Sequence, residues 1–150
     1  MSDNPTLIPH FTCSNAAAAI DFYKQAFGAE EVARHPAPDG KVMHATLKIN
    51  GGTVMLNDDF SGQMNSKCET TEALGGNPFV LHLQVDDADV WWAKAVAAGA
   101  QVEFPLADQF WGARYGQLKD PFGFYWSISQ TIAMPTPAEM EEGAKVAFAH

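Results

Sequence analysis

The fold of this chain can be read from one pattern of apolar runs, helix caps and turns that runs through it twice. Residues 6–13 are short, apolar and β-prone, and Ser14-Asn15 then supply helix N-cap chemistry. Ala16, Ala19, Ile20, Tyr23, Ala26 and Phe27 recur at helical spacing, Asp21, Lys24 and Gln25 fall on the wet face, and Gly28 ends the run. Strands are predicted at 30–36, 41–50 and 53–58, separated by the turn signals Pro38-Asp39-Gly40 and Asn50-Gly51-Gly52. The pattern restarts with a strand at 78–86 and an Asp87-capped helix that carries Ala88, Trp91, Ala95 and Ala98 on one face and stops at Gly99. Strands near 101–106, 112–119 and 124–130 follow, the last turn being Asp120-Pro121-Phe122-Gly123.

An offset of 72 residues relates His10 to His82, and 71 relates Gly28 to Gly99. Ile8/Val80, Asn15/Asp87 and Ala29/Ala100 then hold equivalent places. The expected class is α+β, one domain over 1–150 built from two βαβββ modules at 6–58 and 78–130. The polar, aperiodic stretch 59–77 between them reads as a linker or lid. Thr136-Pro137-Ala138-Glu139 resembles a capping box and opens a C-terminal helix over 136–148.

With 150 residues the chain can bury about 70% of its unfolded surface, so it needs neither disulfides nor a structural metal. Its 18 acidic and 9 basic residues give a net charge of −9, which repels phosphate backbones and anionic lipid and argues against nucleic-acid or membrane partners. Cys13 and Cys68 stand outside any C-x-x-C cluster, favouring a reduced, cytoplasmic setting. Neither a signal-like start nor an apolar run of membrane length occurs. Nor is there a G-x-G-x-x-G, phosphate-loop or G-x-S-x-G motif to support nucleotide or serine-hydrolase chemistry.

Strand alternation sorts the side chains onto two faces. Met43, Ala45, Leu47 and Ile49, like Phe79, Leu81, Leu83 and Val85, are expected to face the helices. The other face pairs a histidine with a hydroxyl or amide two residues on: His10/Thr12, His44/Thr46 and His82/Gln84. A curved sheet would gather them in one polar cleft, where the histidines suit metal ligation, acid–base catalysis, or hydrogen bonds to ligand or structure. His35, beside Pro36, carries no argument. Between Ala107 and Gly116, Trp111 and Tyr115 could wall an apolar pocket while Arg114 holds an anion; the alternative is that Arg114 pairs with Asp120 and the aromatics fill core.

The residues Ala19 to Ala29, Val42-Met43-His44-Ala45, Ala107 to Gly116, and Asp120-Pro121-Phe122-Gly123 with Trp126-Ser127 resemble the PhnB-like branch of the vicinal oxygen chelate (VOC) superfamily, relatives of glyoxalase I and bleomycin-resistance proteins. The resemblance spans about residues 6–130. It implies a curved eight-stranded glyoxalase/bleomycin-resistance/dioxygenase-like fold, a small-molecule cleft and a homodimer. Function then reads as a glyoxalase-like enzyme of isomerase or lyase type, or as non-catalytic sequestration of a drug or metabolite. On the first reading His10, His44 and His82 are catalytic; Trp111, Arg114, Tyr115, Thr12, Thr46 and Gln84 bind substrate.

Metal-using members of the superfamily take ligands from strand positions that fall here on Ile8, Leu56, Val80 and Ser127, none a strong ligand. No cofactor is therefore expected at that site. A divalent metal would need a displaced set built on His10 and His82, with His44 or Asp58. The methyltransferase-like label common in this branch finds no adenosyl-binding motif to support it.

Overall fold

The computed structural model describes residue 5 and residues 7–61 and 69–149. In chain order its elements are β1 (His10–Cys13), α1 (Ala16–Phe27), β2 (Glu30–Pro36), β3 (Val42–Ile49), β4 (Gly52–Asp58), α2 (Thr71–Leu74), β5 (Val80–Gln84), α3 (Ala88–Ala98), β6 (Gln101–Asp108), β7 (Ala113–Lys119), β8 (Tyr125–Thr131) and α4 (Pro137–Ala147). They form two four-stranded mixed sheets, ordered β1-β4-β3-β2 and β5-β8-β7-β6. In each, the first strand pairs parallel with the fourth and the remaining pairs are antiparallel. Two repeated modules with identical topology are thus present, each with its own four-stranded sheet, as the paired βαβββ reading expects.

The repeat extends to individual hydrogen bonds. Asn15 caps α1 by accepting from Ala18 N, and Asp87 caps α3 by accepting from Val90 N. Asp58 Oδ1 at the end of β4 accepts from Ala16 N at 2.7 Å, while Gln130, 72 residues later, accepts from Ala88 N at 2.9 Å. Asp58 does more than its counterpart, because its second oxygen takes Val42 N at 2.7 Å and ties the start of β3 to the end of β4.

α1 buries the predicted stripe together with Phe22, and packs against α3. Ile20, Leu47, Leu56, Leu118, Trp126 and Ile128 are fully buried in a core shared by both modules. Ring pairs Phe11–Phe124 and Phe27–Trp126, each 4.6 Å between centroids, cross the seam. So does Asn50 Nδ2, which donates to Gln84 O at 2.7 Å.

Asp120 is the polar centre of this seam. Its Oδ2 accepts from Tyr23 Oη at 2.6 Å and Trp126 Nε1 at 2.9 Å; its Oδ1 accepts from Phe122 N and Phe124 N at 2.9 and 3.0 Å. Burial pushes its carboxyl above the ordinary range despite these four donors. The same burial, next to Asp120, raises the Tyr23 phenol.

Several local expectations are corrected. β1 starts at His10, and residues 7–9 stand outside it, because Pro9 has no N–H to donate, though its carbonyl still accepts from Met55 N at 2.8 Å; residue 6 lies outside the described residues. The stretch 59–77 contains α2, a single turn too short to show periodicity, capped by Thr70 and Gly75; residues 62–68 lie outside the described residues. Thr71 Oγ1 donates to Phe122 O, which docks α2 on the β7–β8 turn. Met43 is exposed, since a register shift between His35 and Pro36 gives Val42 the buried place. Phe79 is exposed as well, standing just ahead of β5.

β2 and β6 each form one outer edge of a sheet. β6 is exposed over nearly its whole length, contains Pro105 and has two register shifts against β7.

Candidate functional site

The sequence-derived site residues separate onto the two sheets. His10, Thr12, His44 and Thr46 belong to the first sheet, and His82, Gln84 and Tyr115 to the second, with Trp111 in the β6–β7 turn. The three histidines expected in one cleft are thus divided, His10 and His44 on the first sheet and His82 on the second.

On the first sheet, His10 and His44 lie edge to face with centroids 5.5 Å apart. His35, which sequence reasoning passed over, is the cross-strand partner of His44 at 6.3 Å between centroids. Its place depends on β2–β3 register, a non-local property that the neighbouring Pro36 masked. Asn57 Nδ2 donates to Asp58 O at 2.6 Å, which turns its Oδ1 toward His10 Nε2 at 2.7 Å. The amide oxygen only accepts, so His10 donates from Nε2, and a neutral ring there has its lone pair on Nδ1. Partial burial, then the neighbouring His10 and His35, hold His44 below the ordinary imidazole value.

That depression has a sign. The unfolded chain, with an imidazole value of about 6.5, takes up a proton before the folded one does. The contribution to stability is therefore complete above about pH 6.5 and is lost as the pH falls through the folded value. Urea midpoints measured from pH 7.5 to 5 are expected to fall more steeply for wild type than for His44→Gln; parallel curves would contradict this assignment.

On the second sheet, His82, Gln84, Trp111, Tyr115, Ser129 and Thr131 line a pocket of about 510 Å³ together with Ala133, Met134, Pro135 and Met140 from the segment that follows. Gln84 Nε2 donates to Thr131 Oγ1 at 3.0 Å, leaving its Oε1 to accept from His82 Nε2 at 3.2 Å. His82 Nδ1 then accepts from Ser127 Oγ at 2.7 Å, so both ring nitrogens are committed. The ring lies nearly parallel to Tyr115, and Trp111 meets Tyr115 edge to face at 5.5 Å. Gln117 Nε2 donates to Tyr115 Oη at 2.8 Å, which leaves the hydroxyl hydrogen for a ligand. None of the lining residues carries a fixed charge.

Arg114 stands apart from this pocket. Alternation puts it on the opposite face from Tyr115, where Asp89 of α3 and Asp108 of β6 hold its guanidinium at 2.9 and 3.0 Å. It does not pair with Asp120, whose oxygens face Tyr23, Trp126 and two turn amides.

The metal positions implied by the family resemblance do not fit a metal. Leu56 is fully buried beside Phe11, and the side chains of β4 that neighbour His10 and Thr12 are Met55 and Asn57. Ile8 and Val80 offer no donor atom, and Ser127 is spent on His82. Of the displaced set, His10 and His82 stand on different sheets, and both Asp58 oxygens are already bonded to backbone amides. Among the described residues no three His, Cys, Asp or Glu side chains are grouped to hold a metal ion. Among them, too, no helix is long and apolar enough to cross a membrane.

The family model described as Glyoxalase/Bleomycin resistance protein/Dioxygenase superfamily matches residues 7–128. The chain belongs to this superfamily. An uncharacterized superfamily relative from Mycobacterium bovis is 51% identical over 128 residues, covering 85% of this chain and 84% of its own length. The superfamily fold recurs in TioX from Micromonospora sp. ML1, with TM-score 0.69 and 25% identity over 85% of this chain and 99% of TioX. The PhnB protein from Bacillus cereus has the same fold, with TM-score 0.65 and 20% identity over 84% and 99% of the two chains. TioX and the PhnB protein thus share the fold of the chain.

Proposed function

We propose that this superfamily member binds a flat, aromatic, uncharged small molecule in the pocket of the second sheet, and holds it without turnover. The observation that carries this reading is the pocket itself: aromatic faces from Trp111, Tyr115 and His82, hydroxyl and amide groups from Ser129, Thr131 and Gln84 along one edge, and no fixed charge. An uncharged lining favours an uncharged guest, because an unpaired ion would lose its hydration on entry. Both nitrogens of His82 are hydrogen-bonded to neighbouring side chains, and no carboxylate, lysine or cysteine lines the pocket beside it.

The uncharged fluorophore N-phenyl-1-naphthylamine is a direct probe. Trp111→Ala and Tyr115→Ala should each weaken its binding about tenfold. No saturable fluorescence change with wild type, or unchanged affinity in both variants, would sink the reading.

A second reading, an isomerase- or lyase-type enzyme, draws support from the first sheet. There a neutral His10 has its lone pair on Nδ1 beside a His44 whose proton affinity is depressed. The homodimer implied by the family resemblance belongs to both readings and is supported by the exposed Val80, Val102 and Phe104 on β5 and β6. A cytoplasmic setting rests on the unclustered cysteines.

A further inference from the structure

Part of the pocket wall comes from beyond the stretch matched by the superfamily model. The match ends at residue 128, whereas Thr131, Ala133, Met134, Pro135 and Met140 all line the pocket. This segment is firmly seated at both ends. Ile132 N and Ala133 N donate to Gly112 O at 2.8 and 3.1 Å. Gly112 has φ +90°, and any side chain there would run into the Ala133 carbonyl, so the turn and the strap fit only as a glycine contact. Farther on, a Cβ at Gly143 would stand 2.7 Å from Phe110, which makes Gly143 the point where α4 beds on the β6–β7 turn.

The strap also sets where α4 begins. Thr136 and Glu139 form a capping box directly after Pro135, and Met140 N donates to Thr136 O at 2.9 Å. Met140 is therefore held one helical turn from the strap, lining the same pocket as Trp111 and Tyr115. Met134 remains almost wholly exposed, an apolar surface that a bound ring would cover. Thioethers are polarisable and pack well on aromatic faces, so a methionine in one pocket with Trp111 and Tyr115 suits a flat aromatic guest.

We propose that the strap 132–135 and α4 determine which ligands the cleft accepts and how long it holds them, with Met140 as the specificity-determining contact. This rests on the reading of the second-sheet pocket as a site for a flat, uncharged aromatic molecule. Residues 7–128 supply the cleft, and the C-terminal segment gives it a wall of its own.

The test measures dissociation of N-phenyl-1-naphthylamine by stopped-flow displacement from the full chain. Met140→Ala and Gly143→Val should each accelerate release about threefold to tenfold, the range that a sulfur–aromatic contact covers. Because Gly143→Val is the variant at risk of misfolding, Met140→Ala decides the outcome. A wild-type release rate in Met140→Ala, with Trp111→Ala still weakening the probe, overturns the role of the strap and leaves the pocket reading standing. Failure of wild type to bind, or wild-type binding in Trp111→Ala and Tyr115→Ala as well, overturns both.

Discussion

Asp120→Ala should lower the stability of the folded chain by roughly 3–5 kcal/mol, the largest loss expected from any single substitution considered for this protein. The magnitude follows from what the substitution strands. Tyr23 Oη, Trp126 Nε1 and the amides of Phe122 and Phe124 all donate to this carboxylate in the buried seam between the modules. Alanine fills part of the volume and accepts none of these bonds. For a chain of this length the loss corresponds to a drop in melting temperature of about 10 °C.

Burial works in the opposite direction, since it holds the carboxyl above its ordinary value. The measured loss is therefore the balance of four donors against one desolvated charge. Urea denaturation of wild type, Asp120→Ala, Tyr23→Phe and the double variant isolates the Tyr23 share as a coupling energy. A loss below about 1 kcal/mol in Asp120→Ala would mean that desolvation cancels the network almost completely.

Asp58→Ala comes next, with an expected loss of about 2–4 kcal/mol, because two amides, Ala16 N and Val42 N, lose their acceptor in buried surroundings. Gln130 occupies the equivalent place in the second module but accepts from Ala88 N alone, so Gln130→Ala should cost about 1 kcal/mol. The comparison is internal to one chain and one fold. Equal losses, measured by the same urea titration, would contradict the attribution to the number of amides served.

Much of the fold was legible because its signals are local. Asn15, Asp87, Thr136, Gly28 and Gly99 bound their helices where capping chemistry predicts, and the α1 stripe is buried as its spacing requires. The site was legible only in halves. His82, Gln84, Trp111 and Tyr115 share a pocket, while His10 and His44 stand on the other sheet, and how two modules pack is not a local property.

Some of the missed placements were within reach of the alternation rule. Adjacent residues on a strand face opposite ways, so Arg114 and Tyr115 could not both line one cleft, and Leu56 had to follow Val54 into the core. Others needed three-dimensional knowledge. Cross-strand register brings His35 to His44, and part of the pocket wall arrives from residues 133–140, beyond the repeat altogether.

The irregular outer strand β6 bears on how molecules of this protein meet in a crowded solution. A straight edge strand presents an uninterrupted row of amides and carbonyls, which invites a neighbour to extend the sheet. Here Pro105 removes one donor and two breaks in register bend the row, so no long template is offered. Growth of the second sheet into open-ended stacks is thereby blocked on that side by backbone geometry alone. At that edge any contact between copies would fall to side chains, where shape and chemistry can discriminate one partner from another.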